Sequence, residues 1–363
     1  MTTLYRADQV GSLLRPPALL RARQSNLGAE QLRKIEDEFI LEAIRRQKEI
    51  GLDVVTDGEL RRRNFMSDFV DAVAGFDTEK AVSRSWSGQS SGPVSSVTGI
   101  VTSKLRQMSP LTGHELPFLE RHAPGGFKVT LPSATQFPAI SYQRGVTDEF
   151  YPTRSDLLWD IVAIIKKEMQ SLSSRGVSYI QIDAPRYSYF IDPKWREWIR
   201  KEMLQDPEAA LQESVDADNA CFAAARQPGV TLAIHLCRGN NRSHWYAEGG
   251  YDAIAEQLFN TLEVDRFLLE YDDQRSGSFE ALRFVPHGKM VVLGLVSSKH
   301  ARLEDTATLI RRINEASHYV PLENLALSPQ CGFASTAEGN LLSEDDQWAK
   351  LPLVVEISRE VWK

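Results

Sequence analysis

Cysteine is scarce in this chain of 363 residues, which contains only Cys221, Cys237 and Cys331. So few cysteines, in an odd number, do not indicate a disulfide framework. A reducing compartment fits better, and we expect a cytoplasmic protein. In that compartment each cysteine needs another explanation, either as a small buried hydrophobe or as a reactive or metal-binding thiol.

Common nucleotide, membrane and nucleic-acid signatures are missing as well. No two of the 22 glycines are two residues apart, which excludes the G-x-G turn of dinucleotide-binding folds. The sequence also has no G-K-[ST] P-loop and no H-E-x-x-H motif. No apolar run is long enough for a membrane span or a signal peptide. The net charge of −7 lacks the basic field of a nucleic-acid binder.

Short β-branched runs alternate with longer helical patterns along the chain. The predicted strands are Tyr5–Val10, Asp53–Thr56, Phe127–Leu131, Ser178–Ile182, Val230–His235, Arg266–Glu270, Met290–Leu295 and Leu325–Ser328. The predicted helices are Ala29–Ile50, Asp156–Ser174, Pro207–Arg226, Asp252–Leu262, Glu304–Ala316 and Glu344–Val361. This alternation predicts an α/β fold with a parallel sheet, and about eight strands favour a single (β/α)8 TIM barrel over residues 1–363.

One segment departs from this alternation. Ala81–Thr98 is rich in serine and glycine and follows the second predicted strand. We therefore expect an insertion at about residues 65–125. It is interpreted either as a surface hairpin or as a lid over the mouth of the barrel.

The most informative residues are His235 and Cys237, at the end of the apolar run VTLAI. Residues two apart on a strand point the same way, so an imidazole nitrogen and a thiolate meet at one point. Soft sulfur and borderline nitrogen are the ligands of zinc. Glu270 ends the next strand and Cys331 follows the last one, so four potential ligands are expected at the same end of the barrel. A buried cysteine and a solvated glutamate are the plain alternatives.

Six segments, in order, resemble the catalytic half of cobalamin-independent methionine synthase: VGSLLRP, DVVTDGELRRRNF, YIQIDAPR, IHLCRGN, FLLEYDD and LSPQCGF. The resemblance covers nearly the whole chain. It implies that His235, Cys237, Glu270 and Cys331 bind a zinc ion that activates the thiol of homocysteine. It also implies that Asp183 and Glu59 bind the amino group of homocysteine and that Ser12 lies beside its carboxylate.

The sequence departs from this family at the positions that concern the methyl donor. The complete family enzyme is about twice as long, and its donor-stacking tryptophan has no counterpart in Thr130–Pro138. Phe137 is the candidate to stack on the donor instead. His300, in VSSKHAR, is the candidate proton donor.

The resemblance implies a zinc-dependent S-methyltransferase that moves a methyl group from a 5-methyltetrahydrofolate-type donor to homocysteine, giving methionine. Three alternatives remain open: an alkyltransferase for another thiol, similar to epoxyalkane:coenzyme M transferases; a barrel similar to uroporphyrinogen decarboxylase; and a non-catalytic zinc barrel. The partners would be a small-molecule thiol and a methyl donor, with no nucleic acid or membrane. The tryptophans Trp195, Trp198 and Trp245 indicate either a homo-oligomer interface or the rim of the site.

Overall fold

The computed structural model describes residues 5–80, 82–86, 92–96, 99–123 and 125–363, with the backbone alone for 82–86 and 92–96. Its strands are β1 Val73–Asp77, β2 Val82–Trp86, β3 Gly92–Ser96, β4 Ile100–Gln107, β5 Lys128–Pro132, β6 Tyr179–Asp183, β7 Thr231–Leu236, β8 Arg266–Glu270, β9 Met290–Val296 and β10 Leu325–Pro329. Its helices are α1 Pro17–Gln24, α2 Ala29–Ile50, α3 Ser67–Ala72, α4 Leu116–His122, α5 Gln136–Ile140, α6 Arg154–Ser174, α7 Ser188–Ile191, α8 Pro193–Trp198, α9 Pro207–Ala225, α10 Ala255–Thr261, α11 Thr306–Ala316 and α12 Glu344–Val361. Short 3₁₀ turns cover Thr147–Glu149, Pro185–Tyr187, Tyr251–Ala253, Gln274–Ser276, Phe279–Phe284 and Leu322–Asn324, and one π turn covers Ile199–Met203.

Six strands form one parallel sheet in the order β10-β9-β8-β7-β6-β5. Each strand pairs with its neighbour in sequence, as repeated strand–helix units require. The strands are buried because helices cover the sheet, and most of their residues are apolar. The predicted α/β fold with a parallel sheet is thus confirmed, and the six strands are consistent with a TIM-type barrel.

The first two predicted strands are single bridges in the structure. Ala7 forms a parallel bridge with Leu327 of β10, and Val55 forms one with Phe127 just before β5. The backbone N–H of Asp53 also donates to the carbonyl oxygen of Ala7 at 3.1 Å. These two segments therefore lie beside the two ends of the sheet and beside each other.

The long helices begin and end where the local sequence favours it. α2 ends at Gly51, whose φ of 90° is accessible to glycine without steric cost. Thr153 and Asp156 form a capping box at the start of α6, and Ser343 and Asp346 form another at the start of α12. The predicted bounds of α2 and α12 coincide with the observed ones. Within the described residues, no helix is both long enough and apolar enough to cross a membrane.

Four short strands lie between Val55 and β5. β1 pairs with β4 and β2 pairs with β3, both antiparallel. The Ser- and Gly-rich segment contributes the β2–β3 pair, while residues 81, 87–91, 97 and 98 lie outside the described residues. Its interpretation as a lid stays a prediction.

A network of buried polar side chains connects β5 and β6 with Asp8. Lys128 of β5 donates to Asp8 at 2.7 Å and to Gln181 of β6 at 2.8 Å, and all three residues are buried. Gln181 in turn donates to the Asp183 carboxylate at 2.7 Å. Because Asp183 ends β6, this chain of contacts fixes a carboxylate at the carboxyl edge of the sheet.

Candidate metal centre and its cavity

Three potential metal ligands meet at the carboxyl edge of the sheet. The ligand atoms of His235, Cys237 and Cys331 all lie within 4.8 Å of one another, and the three residues are buried. His235 belongs to β7, Cys237 follows it directly, and Cys331 lies two residues after β10. A strand end and two adjoining loops therefore bring together a group separated by almost 100 residues.

The electrostatics of this group favour a bound cation. Neither ring nitrogen of His235 has a hydrogen-bond partner among the described residues, although the ring is buried. Burial lowers the pKa of His235, but the neighbouring Cys331 raises it above its ordinary value. Contact with Cys237 holds the pKa of Cys331 well below its usual range, while the same contact and burial raise the pKa of Cys237. A divalent cation would stabilise both sulfurs as thiolates.

Glu270 is fully buried at the end of β8 but lies outside this close group of three. Its Oε2 accepts a hydrogen bond from the backbone N–H of Arg238 at 2.8 Å. Its Oε1 has no hydrogen-bond partner in the described part of the chain and lies 3.5 Å from Nη2 of Arg275. The structure thus brings together three of the four predicted ligands and holds the fourth through Arg238 and Arg275.

A cavity of about 500 Å³ opens beside the three ligands. All three line it, together with Ser12, Glu59 and Asp183, the residues predicted to bind the substrate. These six predicted residues therefore share one cavity, which lies at the end of the sheet where parallel α/β enzymes hold their active sites.

Glu59 presents a carboxylate that is only partly satisfied. Its Oε1 accepts a hydrogen bond from Thr130 at 2.9 Å and lies 3.5 Å from Nη1 of Arg62. Its Oε2 has no hydrogen-bond partner among the residues described. The backbone of Glu59 has a φ of 55°, in the left-handed region, so the turn is strained to aim this side chain. Burial raises the pKa of Glu59, against the opposing effect of Arg62 and Arg15.

Asp183 is the second acid of the cavity. In the register of the sheet it stands opposite His235. Burial raises the pKa of Asp183 to about 7, while the nearby His235 lowers it. Near neutral pH this group is therefore poised between its two protonation states, and a cationic substrate group would favour the ionised form.

Ser12 lies against the loop that carries Cys331. Its Oγ accepts a hydrogen bond from the backbone N–H of Ala334 at 3.4 Å, and its carbonyl oxygen accepts one from Phe333 at 2.9 Å. A Cβ at Gly332 would lie 2.0 Å from Ser12 Oγ. Glycine at this position is thus what allows the serine and the ligand loop to pack together.

Two predicted residues lie outside the lining of the cavity. Phe137 is fully buried and packs on Phe69, with ring centroids 4.5 Å apart. Its neighbours Gln136 and Ile140 on α5 face the cavity instead. His300 is exposed, and partial burial together with Lys350 lowers its pKa. The structure does not bring either residue to the metal ligands.

Several lining residues escaped the sequence argument. Asn240 donates to the carbonyl oxygen of Gly332 at 2.8 Å and so connects the two ligand loops. Arg186 and Tyr246 also line the cavity. Arg186 and Asn240 belong to the quoted segments YIQIDAPR and IHLCRGN, which was the available signal. Trp195 donates to the carbonyl oxygen of Tyr246 at 2.6 Å and is largely buried, so it supports the cavity wall.

A second group of metal-ligand type, Asp68, His114 and Glu115, is explained by an ion-pair network. Arg62 lies 2.7 Å from a carboxylate oxygen of Asp68 and 2.7 Å from one of Glu115. The guanidinium already forms an ion pair with each of these two acids. These acids therefore act as ion-pair partners that stabilise the buried Arg62.

A parallel α/β sheet with a buried His/Cys/Cys group and an acid-lined cavity at its carboxyl edge defines a candidate metal-dependent enzyme. The family model of the cobalamin-independent synthase catalytic domain matches residues 15–344, and the chain belongs to this family. It is a methyltransferase of the methionine synthase-like type.

Relatives and solved structures agree with this assignment. The chain is 40% identical to the uncharacterized protein YxjH of Bacillus subtilis, over 99% of this chain and 95% of that protein. It is 24% identical to a methionine synthase of Pyrococcus abyssi, over 98% of this chain and 92% of that protein. A Listeria monocytogenes structure, provisionally described as a vitamin-B12 independent methionine synthase, is 29% identical with a TM-score of 0.73, covering 100% of this chain and 99% of that chain. Relatives of similar length therefore exist, although the sequence resemblance pointed to an enzyme twice as long.

Proposed function

We propose that this protein is a zinc-dependent methyltransferase that methylates the thiol of homocysteine to give methionine, with a 5-methyltetrahydrofolate-type donor. The observation that carries the proposal is the buried group of His235, Cys237 and Cys331, which opens into a cavity lined by Glu59 and Asp183. The proposal includes a closed (β/α)8 barrel over residues 1–363, with an insertion at about 65–125. Three free cysteines fit the reducing conditions of the cytoplasm.

The donor set fits zinc. One imidazole and two thiols are the soft and borderline ligands that zinc prefers, and the two unpartnered nitrogens of His235 leave one free to coordinate. Glu270 is proposed as the fourth, weaker ligand, because its Oε1 has no hydrogen-bond partner among the described residues. Bound zinc would lower the pKa of a coordinated thiol and so supply a nucleophilic sulfur at neutral pH.

The chain's own residues would bind and orient the amino acid. An ammonium group placed between Glu59 and Asp183 would gain two carboxylate partners and satisfy the free Oε2 of Glu59. The hydroxyl group of Ser12 would donate a hydrogen bond to the substrate carboxylate. Buried polar groups that the fold already holds in place lose little freedom on binding, so the thiol would be oriented toward the donor before reaction.

The test is to measure zinc per chain in the purified protein and then the sulfur coordination of the zinc by X-ray absorption. We expect one zinc ion, two protein sulfurs, and one additional sulfur when L-homocysteine is added. A structural zinc site is closed by its protein ligands and would gain no sulfur. Absence of zinc, or an unchanged sulfur count with homocysteine, would contradict the proposal.

Glu270→Gln is expected to lower turnover strongly while most of the zinc remains bound. The physical reason is that the two thiolates and the imidazole contribute most of the affinity, whereas the carboxylate is the ligand least matched to a sulfur-rich set. The measurement is zinc content together with steady-state kinetics. Loss of zinc as complete as in Cys237→Ser would show instead that Glu270 is an equal ligand.

A further inference from the structure

Three unused hydrogen-bond donors face the cavity beside α5. Nε and Nη1 of Arg186 and Nε2 of Gln136 have no hydrogen-bond partner among the described residues. Both side chains line the cavity and are more than nine-tenths buried, at 6% and 3% exposure. Nη2 of Arg186 lies 3.5 Å from the carbonyl oxygen of Gln136, so the two residues are adjacent.

Leaving two guanidinium nitrogens and one amide nitrogen buried without partners is costly, so these donors need a partner that the described residues do not supply. Within the described residues, no carboxylate lies within 4.0 Å of the Arg186 guanidinium. Arg186 instead lies over the ring of Tyr189, with 4.0 Å from its Cζ to the ring centroid, which holds the guanidinium plane in place. A rigid, donor-only group with a positive charge selects an anion, and its planar shape suits a carboxylate.

We propose that Arg186 and Gln136 form a subsite for an acidic group of the methyl donor. This inference rests on the proposed function. The thiol substrate already has Ser12 for its carboxylate and the acids Glu59 and Asp183 for its ammonium group. The cavity of about 500 Å³ has the size of pockets that hold drug-sized ligands, so it leaves room for a second, larger substrate.

The test measures binding of glutarate, a dicarboxylate with neither thiol nor methyl group, by calorimetry. We expect the wild-type protein to bind it and Arg186→Gln to weaken binding about tenfold or more, since a charged hydrogen-bonded pair is lost. The matched control is Arg242→Gln, which removes an exposed arginine from the lining of the same cavity and should change binding little. Arg186→Lys keeps the charge without the planar fork and should bind with intermediate affinity, and thermal unfolding checks that each variant is folded.

Competition identifies the substrate that uses the subsite. Saturating L-homocysteine should leave glutarate bound, whereas 5-methyltetrahydrofolate should displace it. Displacement by homocysteine, no displacement by the folate, no glutarate binding, or equal binding by Arg186→Gln would each overturn the proposal. Glutarate binding is also measured in Cys237→Ser, where it should persist, so that failure of the zinc chemistry and failure of the anion subsite give different results.

Discussion

Replacing Cys237 with serine should remove most of the zinc from the protein and abolish methyl transfer. Serine keeps the shape of the side chain, but its hydroxyl is a harder donor that does not ionise as a thiol does. Zinc content by atomic emission and a methyl-transfer assay measure the two effects.

The chain offers a matched control in Cys221. This cysteine is fully buried on α9, away from the group of three, and burial together with Asp218 raises its pKa well above the ordinary value. Cys221→Ala should therefore keep the zinc and the activity, with only a loss of packing. Full zinc content in Cys237→Ser, or equal zinc loss in both variants, would remove Cys237 from the metal site.

Gly332→Ala is expected to lower kcat/KM about 100-fold, because misplacing a substrate-orienting group by about 1 Å has effects of that size. The new Cβ would lie 2.0 Å from Ser12 Oγ and 3.2 Å from Ser12 Cβ. The serine hydroxyl must then rotate away from the backbone N–H of Ala334 and from the substrate. Steady-state kinetics with homocysteine measures the loss, which should appear mainly as a higher KM if Ser12 binds the carboxylate equally throughout the reaction.

Gly28→Ala is the control for this substitution. No atom lies within 4 Å of a Cβ at Gly28, and its φ of −67° suits any residue. This variant should therefore keep wild-type kinetics and stability. Unchanged activity in Gly332→Ala would show that Ser12 does not contact the substrate, whereas loss of folded protein would place the effect in packing.

The helices and the middle of the sheet followed closely from local patterns. α2 has apolar residues spaced by threes and fours and ends at a glycine, so residues close together in sequence suffice to predict its bounds. β6 to β10 are short and mostly apolar runs between helical segments. The segments near Ala7 and Val55 look like strands in sequence, but their extent depends on how far the chain runs beside distant partners, which no local pattern records.

Some residues of the candidate site were likewise predictable from local sequence, and others were not. His235 and Cys237 share one strand end, and the repeat of two along an extended chain already places them on one side. The prediction for Phe137 shows where local patterns stop being informative. On the short helix α5, Phe137 is buried in the core, whereas its neighbour Gln136 lines the cavity. Arg186 belongs to the segment YIQIDAPR but was not predicted as a site residue, because its unpartnered nitrogens are recognised only in the tertiary structure.

The sequence by itself determined the α/β alternation, the family resemblance and the residue types of a candidate metal site, because each is encoded in short segments. Only the tertiary structure decided how closely Cys331 approaches His235 and Cys237, that Arg238 and Arg275 contact Glu270, and that two guanidinium nitrogens of Arg186 lack partners among the described residues. Those outcomes depend on distances between residues far apart in the chain. The parallel pairing of β5 to β10 sets these distances, since it carries the ends of separate strands to one edge of the sheet.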